Sequence, residues 1–184
     1  MASTNSTMLA LGTKLPNFTL SDAHGDQFNA LDLLTDKGLL LAFWCNHCPY
    51  VKHLKPAFSK LAKKYMEQGM GVVALNSNDA KQYSNDSPAG MIADITEYNY
   101  TFPYLIDDTQ NVARSFAAVC TPEFYLFDGN GLLQYRGRFD ASTPRNDKPI
   151  TAADITAALD AVLAGEDVND TQHPSVGCSI KWKV

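Results

Sequence analysis

Cys45 and Cys48 stand three apart in Trp44-Cys45-Asn46-His47-Cys48-Pro49, and the place of that motif in the chain gives it chemistry. The continuous apolar run Leu39 to Phe43 precedes it, as suits a central strand covered on both faces. After it, Val51, Leu54, Phe58, Leu61 and Tyr65 step by three or four, one stripe of an amphipathic helix over Pro49 to Gln68. Proline is favoured in the first helical turn, where its missing N–H would have had no partner, so Pro49 places Cys48 at or next to the N-cap. Free backbone N–H groups and the positive end of the helix dipole favour a thiolate there, lowering a thiol pKa from ~8.5 toward neutrality or below. Cys48 is the expected nucleophile. Cys45, close to the strand end, can reach it as a resolving thiol if the turn between them is tight.

The other elements frame this junction. Two short apolar stretches between Phe18 and Leu33 flank Asp22-Ala23-His24-Gly25-Asp26, a turn cluster that joins a hairpin. Gly71 to Leu75 reads as a second buried strand and the polar stretch Asn76 to Ser87 as a loop, with Ser87-Pro88 opening a helix. Tyr104 to Ile106 is a short strand, followed by a helix capped by Asp108 with the stripe Val112, Phe116 and Val119. Asp128-Gly129-Asn130-Gly131 joins the strands Glu123 to Phe127 and Leu132 to Arg136 as antiparallel neighbours. A last helix begins with a capping-box-like Thr151-Ala152-Ala153-Asp154 and stops at Gly165. Pro56 is expected to kink the helix after the cysteines, and Lys52, Lys55, Lys60, Lys63 and Lys64 to form its solvated face. Ala2 to Thr7 reads as a frayed tail.

At one domain per ~150 residues, 184 residues make one domain with tails. A hydrophobic fraction of 45% with 19% charged is globular composition. The net charge of −5 supplies no positive field to gather nucleic acid or an anionic membrane, so neither is an expected partner. Met1 to Leu15 lacks a basic flank ahead of an apolar core, and the apolar run Gly38 to Cys45 is too short to span a bilayer, so the expected address is cytoplasmic. Four cysteines are too sparse for a disulfide scaffold.

Three stretches resemble the thioredoxin-like superfamily, specifically its redoxin branch of thioredoxin-like and peroxiredoxin-like proteins. They are Gly12-Thr13-Lys14-Leu15-Pro16-Asn17-Phe18-Thr19-Leu20, Phe43-Trp44-Cys45-Asn46-His47-Cys48-Pro49-Tyr50-Val51, and Thr121-Pro122-Glu123-Phe124-Tyr125-Leu126-Phe127-Asp128 with its hairpin. The tail Pro174-Ser175-Val176-Gly177-Cys178-Ser179-Ile180-Lys181-Trp182-Lys183 is similar to the ending of a peroxiredoxin-like subgroup. The resemblance implies an α/β thioredoxin fold, a central mixed β-sheet flanked by helices with an N-terminal β-hairpin extension. It would occupy residues 11–165, after a flexible tail at 1–10 and before a C-terminal tail at 166–184 that packs on the domain. It further implies a cis-proline at Pro122, whose loop faces the nucleophile and offers Thr121 backbone groups to a substrate, with Trp44 packing and covering the disulfide.

The departures from the family pattern matter as much. Cys48 falls on the nucleophile of thioredoxin-like proteins, but their resolving cysteine falls on Val51, which makes Cys45 a displaced partner. Their buried acid falls on Ala42, and Glu123 beside the proline loop is a substitute general base. Against peroxiredoxins, Leu41 and Cys45 stand where their motif has Pro and Thr, and Cys120 or Thr121 where an activating Arg is expected, unless Arg114, Arg136 or Arg138 compensates.

Cys120 and Cys178 read as small buried hydrophobes or as additional redox thiols: Cys120 for its closeness to Pro122, Cys178 as a thiol folding back on the site. His47 either stabilises a thiolate and contacts substrate or is a solvated turn histidine. Cys45, Cys48 and His53 leave zinc without a fourth ligand, so no metal is expected, and thiol chemistry needs no cofactor. The expected activity is thiol–disulfide exchange with a disulfide-bearing protein or small thiol, recharged by an external dithiol. A thiol peroxidase working through a Cys48 sulfenic acid and a non-catalytic redox-sensing module are the alternatives.

Overall fold

Each apolar run expected as a strand becomes one in the computed structural model, which describes residues 3–183. The strands are β1 (Ser3–Asn5), β2 (Thr19–Asp22), β3 (Gln27–Asn29), β4 (Leu39–Phe43), β5 (Gly71–Asn76), β6 (Tyr104–Ile106), β7 (Cys120–Thr121), β8 (Glu123–Phe127), β9 (Leu133–Gly137) and β10 (Val176–Ser179). The helices are α1 (Ala30–Leu33), α2 (Pro49–Met66), α3 (Pro88–Tyr98), α4 (Asn111–Ser115) and α5 (Ala153–Ala164), with a 3-10 turn at Ser84–Asp86. The larger sheet runs β3-β2-β6-β5-β4-β8-β9, with β4 parallel to β5 and antiparallel to β8, and the N-terminal hairpin extends its edge. This is the expected central mixed sheet with flanking helices.

β4 is buried along its whole length because helices cover both sheet faces. Leu40, Ala42 and Trp44 point into the cluster under α2, with Val51, Leu54 and Phe58, while Leu39, Leu41 and Phe43 point into the cluster with Phe116 and Tyr125. Edge-to-face rings lock the second cluster, Phe43 lying 5.4 Å from Phe116. α2 continues through Pro56 to Met66 as one helix. Among the described residues no helix is long and apolar enough to cross a membrane.

Three local readings are corrected. α4 is capped by Asp107 rather than Asp108: the buried Asp107 carboxylate accepts from the Val112 and Ala113 N–H groups, while the exposed Asp108 pairs with Lys183. α5 has no capping box, since Ala152 at its N-cap is left-handed and the Asp140 carboxylate accepts from the Thr151 and Ala152 N–H groups instead. The third concerns the tail read as frayed. Ser3–Asn5 pairs antiparallel with β10, Ser3 facing Cys178, and β10 pairs in turn with β7, giving a small second sheet of order β1-β10-β7. Ser3-Thr4-Asn5 carries no apolar alternation to announce a strand, because its pairing rests on backbone hydrogen bonds to a partner at the other end of the chain.

Candidate active site

The turn from β4 into α2 delivers the cysteines. The Trp44 N–H bonds to the Leu75 carbonyl at 2.8 Å, holding the chain to β5 just past the end of β4. Cys48 takes the N-cap, extended at φ −65 and ψ 127, with Pro49 in the first turn of α2, so its sulfur sits at the positive end of an 18-residue helix. The Thr121–Pro122 peptide is cis, as the resemblance implied, and its loop faces both cysteines. Cys45 Sγ lies 3.2 Å from Thr121 Oγ1, and Cys48 Sγ lies 3.4 Å from the Thr121 carbonyl oxygen. Cys178 Sγ on β10 is 2.7 Å from Cys48 Sγ, although 130 positions separate the two in the chain. All four cysteines are free thiols, and all are buried.

Cys48 is therefore flanked by two thiols. Hydrogen bonding from Cys45 is the leading influence on it, burial opposes, and Cys178 adds a further hydrogen bond; the outcome is a thiol lowered to about 5. Its neighbours move the other way. Burial, then hydrogen bonding to Cys48, pushes Cys45 well up, and the same two causes push Cys178 up to about 12. One sulfur is thus the thiolate at neutral pH and the other two are its proton-bearing donors.

Cys120 lies on β7 beside this group, but burial first and the Glu123 charge next raise its thiol, leaving it protonated. Glu123 does not serve Cys45 or Cys48. Its carboxylate accepts from Tyr125 Oη at 2.7 Å and lies 3.9 Å from Cys120 Sγ, and burial lifts it to about 7. Register explains the placement: Glu123 pairs with Phe43, and side chains at alternate positions of β8 leave the sheet on opposite faces, so Glu123 shares the face of Tyr125 rather than that of Phe124 and Trp44. Trp44 is fully buried, packs on Phe58 and donates its indole N–H to Tyr100 Oη.

The turn holding Asn46 and His47 is tied down by residues that the sequence pattern did not single out. His47 is partly buried, not a solvated turn residue: Nδ1 lies 2.6 Å from Asp86 Oδ2, and the ring stacks on Tyr83 at 4.9 Å. The Asp86 carboxylate also accepts from the Asn46 N–H at 2.6 Å and from the Asn78 amide at 2.9 Å. Burial works against its charge, yet these donors, His47 first, outweigh it and hold the carboxyl below its usual range. Lys55, read as part of a solvated face, is 2% exposed and donates to the Asn46 carbonyl and to Asp94. In the sequence, Asp86 and Asp94 look like any acidic residues of a polar loop and a helix. The faint signal was the density of Asn, Ser and Asp over Asn76 to Ser87, a loop in which Asn76, Ser77, Asn78, Asp79 and Asp86 are buried.

Asp86→Ala leaves the Asn46 N–H and the Asn78 amide buried without an acceptor, and the expected loss of stability is about 2–3 kcal/mol at neutral pH. The native carboxyl is depressed, so its contribution is present above the unfolded value of ~4 and disappears as pH falls through the native value. Denaturant unfolding of both proteins along a descending pH series checks this, with convergence expected in acid.

Among the described residues, Cys45, His47 and Asp86 hold one ligand atom each within 4.8 Å of one another, a set that differs from Cys45, Cys48 and His53. His53 Nε2 is instead 3.0 Å from Ser142 Oγ. The Asp86 oxygens are already taken up by Asn46, Asn78 and His47, which suits a loop clamp better than a metal shell. The three arginines considered for peroxide activation are engaged elsewhere. Arg138 pairs with Asp154, Arg136 bonds Gln172 and the Leu9 carbonyl, and Arg114 lies over Trp182.

Known proteins resemble this chain in fold and in sequence. A crystal structure of an uncharacterized conserved protein from Geobacillus kaustophilus superposes with a TM-score of 0.97 at 46% identity, covering 100% of this chain and 97% of that one. A thiol:disulfide interchange protein of the thioredoxin family from Chlorobium tepidum TLS gives 0.64 at 16% identity over 84% of this chain and 98% of that one, a likeness of fold. In sequence, thiol-disulfide oxidoreductase ResA of Geobacillus thermodenitrificans is 28% identical over 131 residues, 71% of this chain and 71% of its own length. The AhpC/TSA family model matches residues 11–136, from the segment after the first strand into β9, and so takes in β4, α2 and the Thr121–Pro122 loop but not β10. The chain belongs to the AhpC/TSA family, within the redoxin branch of the thioredoxin-like superfamily.

Proposed function

We propose that this protein is a thiol–disulfide oxidoreductase in which Cys48 is the nucleophile and Cys45 the resolving thiol. The observation that carries the reading is the Cys48 sulfur at the N-cap of α2, held as a thiolate among thiol donors and facing the Thr121–Pro122 loop. The thiolate attacks one sulfur of a substrate disulfide; the Cys48–substrate bond forms, the substrate S–S bond breaks, and the departing thiolate takes up a proton. Cys45 then attacks Cys48 Sγ, closing a Cys45–Cys48 disulfide and expelling the second substrate sulfur, which receives the Cys45 proton. Two electrons have passed to the substrate, and an external dithiol returns them in a reducing, cytoplasmic setting. The name of the ResA relative supports the same chemistry.

Trapping separates the roles. A Cys45→Ser, Cys178→Ser protein, which lacks both thiols next to Cys48, is expected to accumulate a mixed disulfide on Cys48 that mass spectrometry detects, and a Cys48→Ser protein to accumulate none. The reverse pattern would exchange the two roles. Peroxide chemistry is the weaker reading, since no arginine among Arg114, Arg136 and Arg138 is held at Cys48 to polarise an O–O bond.

A further inference from the structure

The strand nearest Cys48 is the chain's own β10. It lies antiparallel along β7, with Cys178 opposite Thr121 and Ser179 opposite Cys120, and so occupies the open edge next to the Thr121–Pro122 loop. Both of its ends are tied. The Ser175 N–H bonds Ser6 Oγ and Ser175 Oγ bonds the Gly137 carbonyl, while beyond the strand the Ile180 N–H bonds the Val119 carbonyl and the Lys181 N–H bonds Asn78 Oδ1. Gly177 makes the close approach possible, because a Cβ there would stand 2.0 Å from the Thr121 carbonyl oxygen and 3.1 Å from Pro122 N. This approach sets Cys178 Sγ 2.7 Å from Cys48 Sγ. With β10 in place Cys48 has 0% exposure, so no external disulfide can meet its sulfur until the strand withdraws.

We propose that Cys178 is a redox-active residue, the internal disulfide partner of Cys48, carried on a strand that stands where an external cysteine-bearing strand would dock against β7. The proposal rests on Cys48 being the nucleophile and places Cys178 ahead of Cys45, so that Cys178 releases the substrate and Cys45 closes the final bridge. β10 leaves β7, Cys48 forms a mixed disulfide with the substrate, and the return of β10 expels the substrate strand while bringing Cys178 to Cys48. In that step the Cys178 sulfur attacks Cys48 Sγ, the Cys48–Cys178 bond forms, the Cys48–substrate bond breaks, and the released substrate thiolate takes the Cys178 proton. The two protein thiols have then given two electrons to the substrate disulfide. Attack of Cys45 on Cys48 Sγ converts this bridge to Cys45–Cys48, with the Cys45 proton passing to Cys178 and no net redox change.

The test is peptide mapping without reduction, after the reduced protein meets a limiting amount of oxidised glutathione and its remaining thiols are blocked. The expected product is a peptide pair linking residues 48 and 178, in the native chain and more abundantly in Cys45→Ser, where the other bridge cannot form. A glutathione adduct on Cys48 with no link to residue 178 in Cys45→Ser overturns the proposal and leaves Cys48 standing as the nucleophile. No disulfide at residue 48 in either protein overturns both readings. Gly177→Ala probes the docking independently: its Cβ unseats β10, so alkylation of Cys48 by iodoacetamide is expected to run about tenfold faster or more, with the 48–178 link lost. An unchanged alkylation rate in a folded Gly177→Ala protein overturns β10 as the cover. If that variant fails to fold, mapping of the native chain still decides whether Cys178 is the partner.

Discussion

Cys48→Ser is expected to reduce insulin disulfides more slowly than the native chain by on the order of 10³-fold or more, because the covalent route is lost with the only sulfur held as a thiolate. A serine hydroxyl at the same N-cap keeps the helix end and the fold, so circular dichroism and thermal unfolding should be nearly those of the native protein. Comparable activity in the two proteins would remove Cys48 from the mechanism. The native pH profile gives a second reading of the same residue. With its thiol lowered to about 5, Cys48 is already ionised at neutrality, so thiolate ultraviolet absorbance and alkylation rate should be nearly level between about pH 6 and 8 and fall to half at about 5. An unperturbed cysteine would instead gain about tenfold per pH unit until ~8.5. Since Cys45 is the leading donor to the thiolate, Cys45→Ala should move the midpoint upward.

The largest expected loss of stability comes from Lys55→Met. Lys55 Nζ, on a side chain 2% exposed, sits 2.7 Å from Asp94 Oδ1 and 3.0 Å from the Asn46 carbonyl in the cysteine turn. Methionine fills similar volume but leaves a buried carboxylate without its cation and a carbonyl without its donor, and breaking one partner of a buried pair costs about 3–5 kcal/mol. For a chain of this size that lowers Tm by roughly 6–20 °C. Burial raises the Asp94 carboxyl even with Lys55 present, and removing Lys55 raises it further. A carboxyl raised in the native state favours folding below its unfolded pKa, and that contribution is lost as pH rises through the native value. The deficit of Lys55→Met should therefore be largest near neutrality and shrink as pH falls and the Asp94 carboxyl takes up a proton. Adding Asp94→Asn, which removes the stranded charge, should recover part of the loss. Equal melting temperatures for Lys55→Met and the native protein at neutral pH would show that the pair contributes nothing.

The two substitutions divide what was legible from what was not. Cys48 could be assigned its place from Pro49 and the apolar run before it, since a helix N-terminus is a local event set by neighbouring residues. Lys55 lies on the same helix and was read as solvated, because an isolated lysine carries no mark of the acid that will meet it 39 residues later. Glu123 shows the converse error. Adjacency to Pro122 suggested a base for the cysteines, but the two-residue period of β8 turns its carboxylate to the other face of the sheet.

By itself the sequence determined the local units: the buried strand, the N-capped thiol, the amphipathic stripe, the two hairpins and the resemblance that places Thr121–Pro122 opposite the cysteines. These follow from propensities and periodicities acting over a few residues. Only the tertiary structure decided which groups surround the thiolate. Asp86 reaches His47 across 39 positions and Cys178 reaches Cys48 across 130, through a sheet that pairs β1, β10 and β7 from both ends and the middle of the chain. Such contacts are set by where whole elements pack, and the residues that make them look polar or inert until packing takes them out of water and gives them partners.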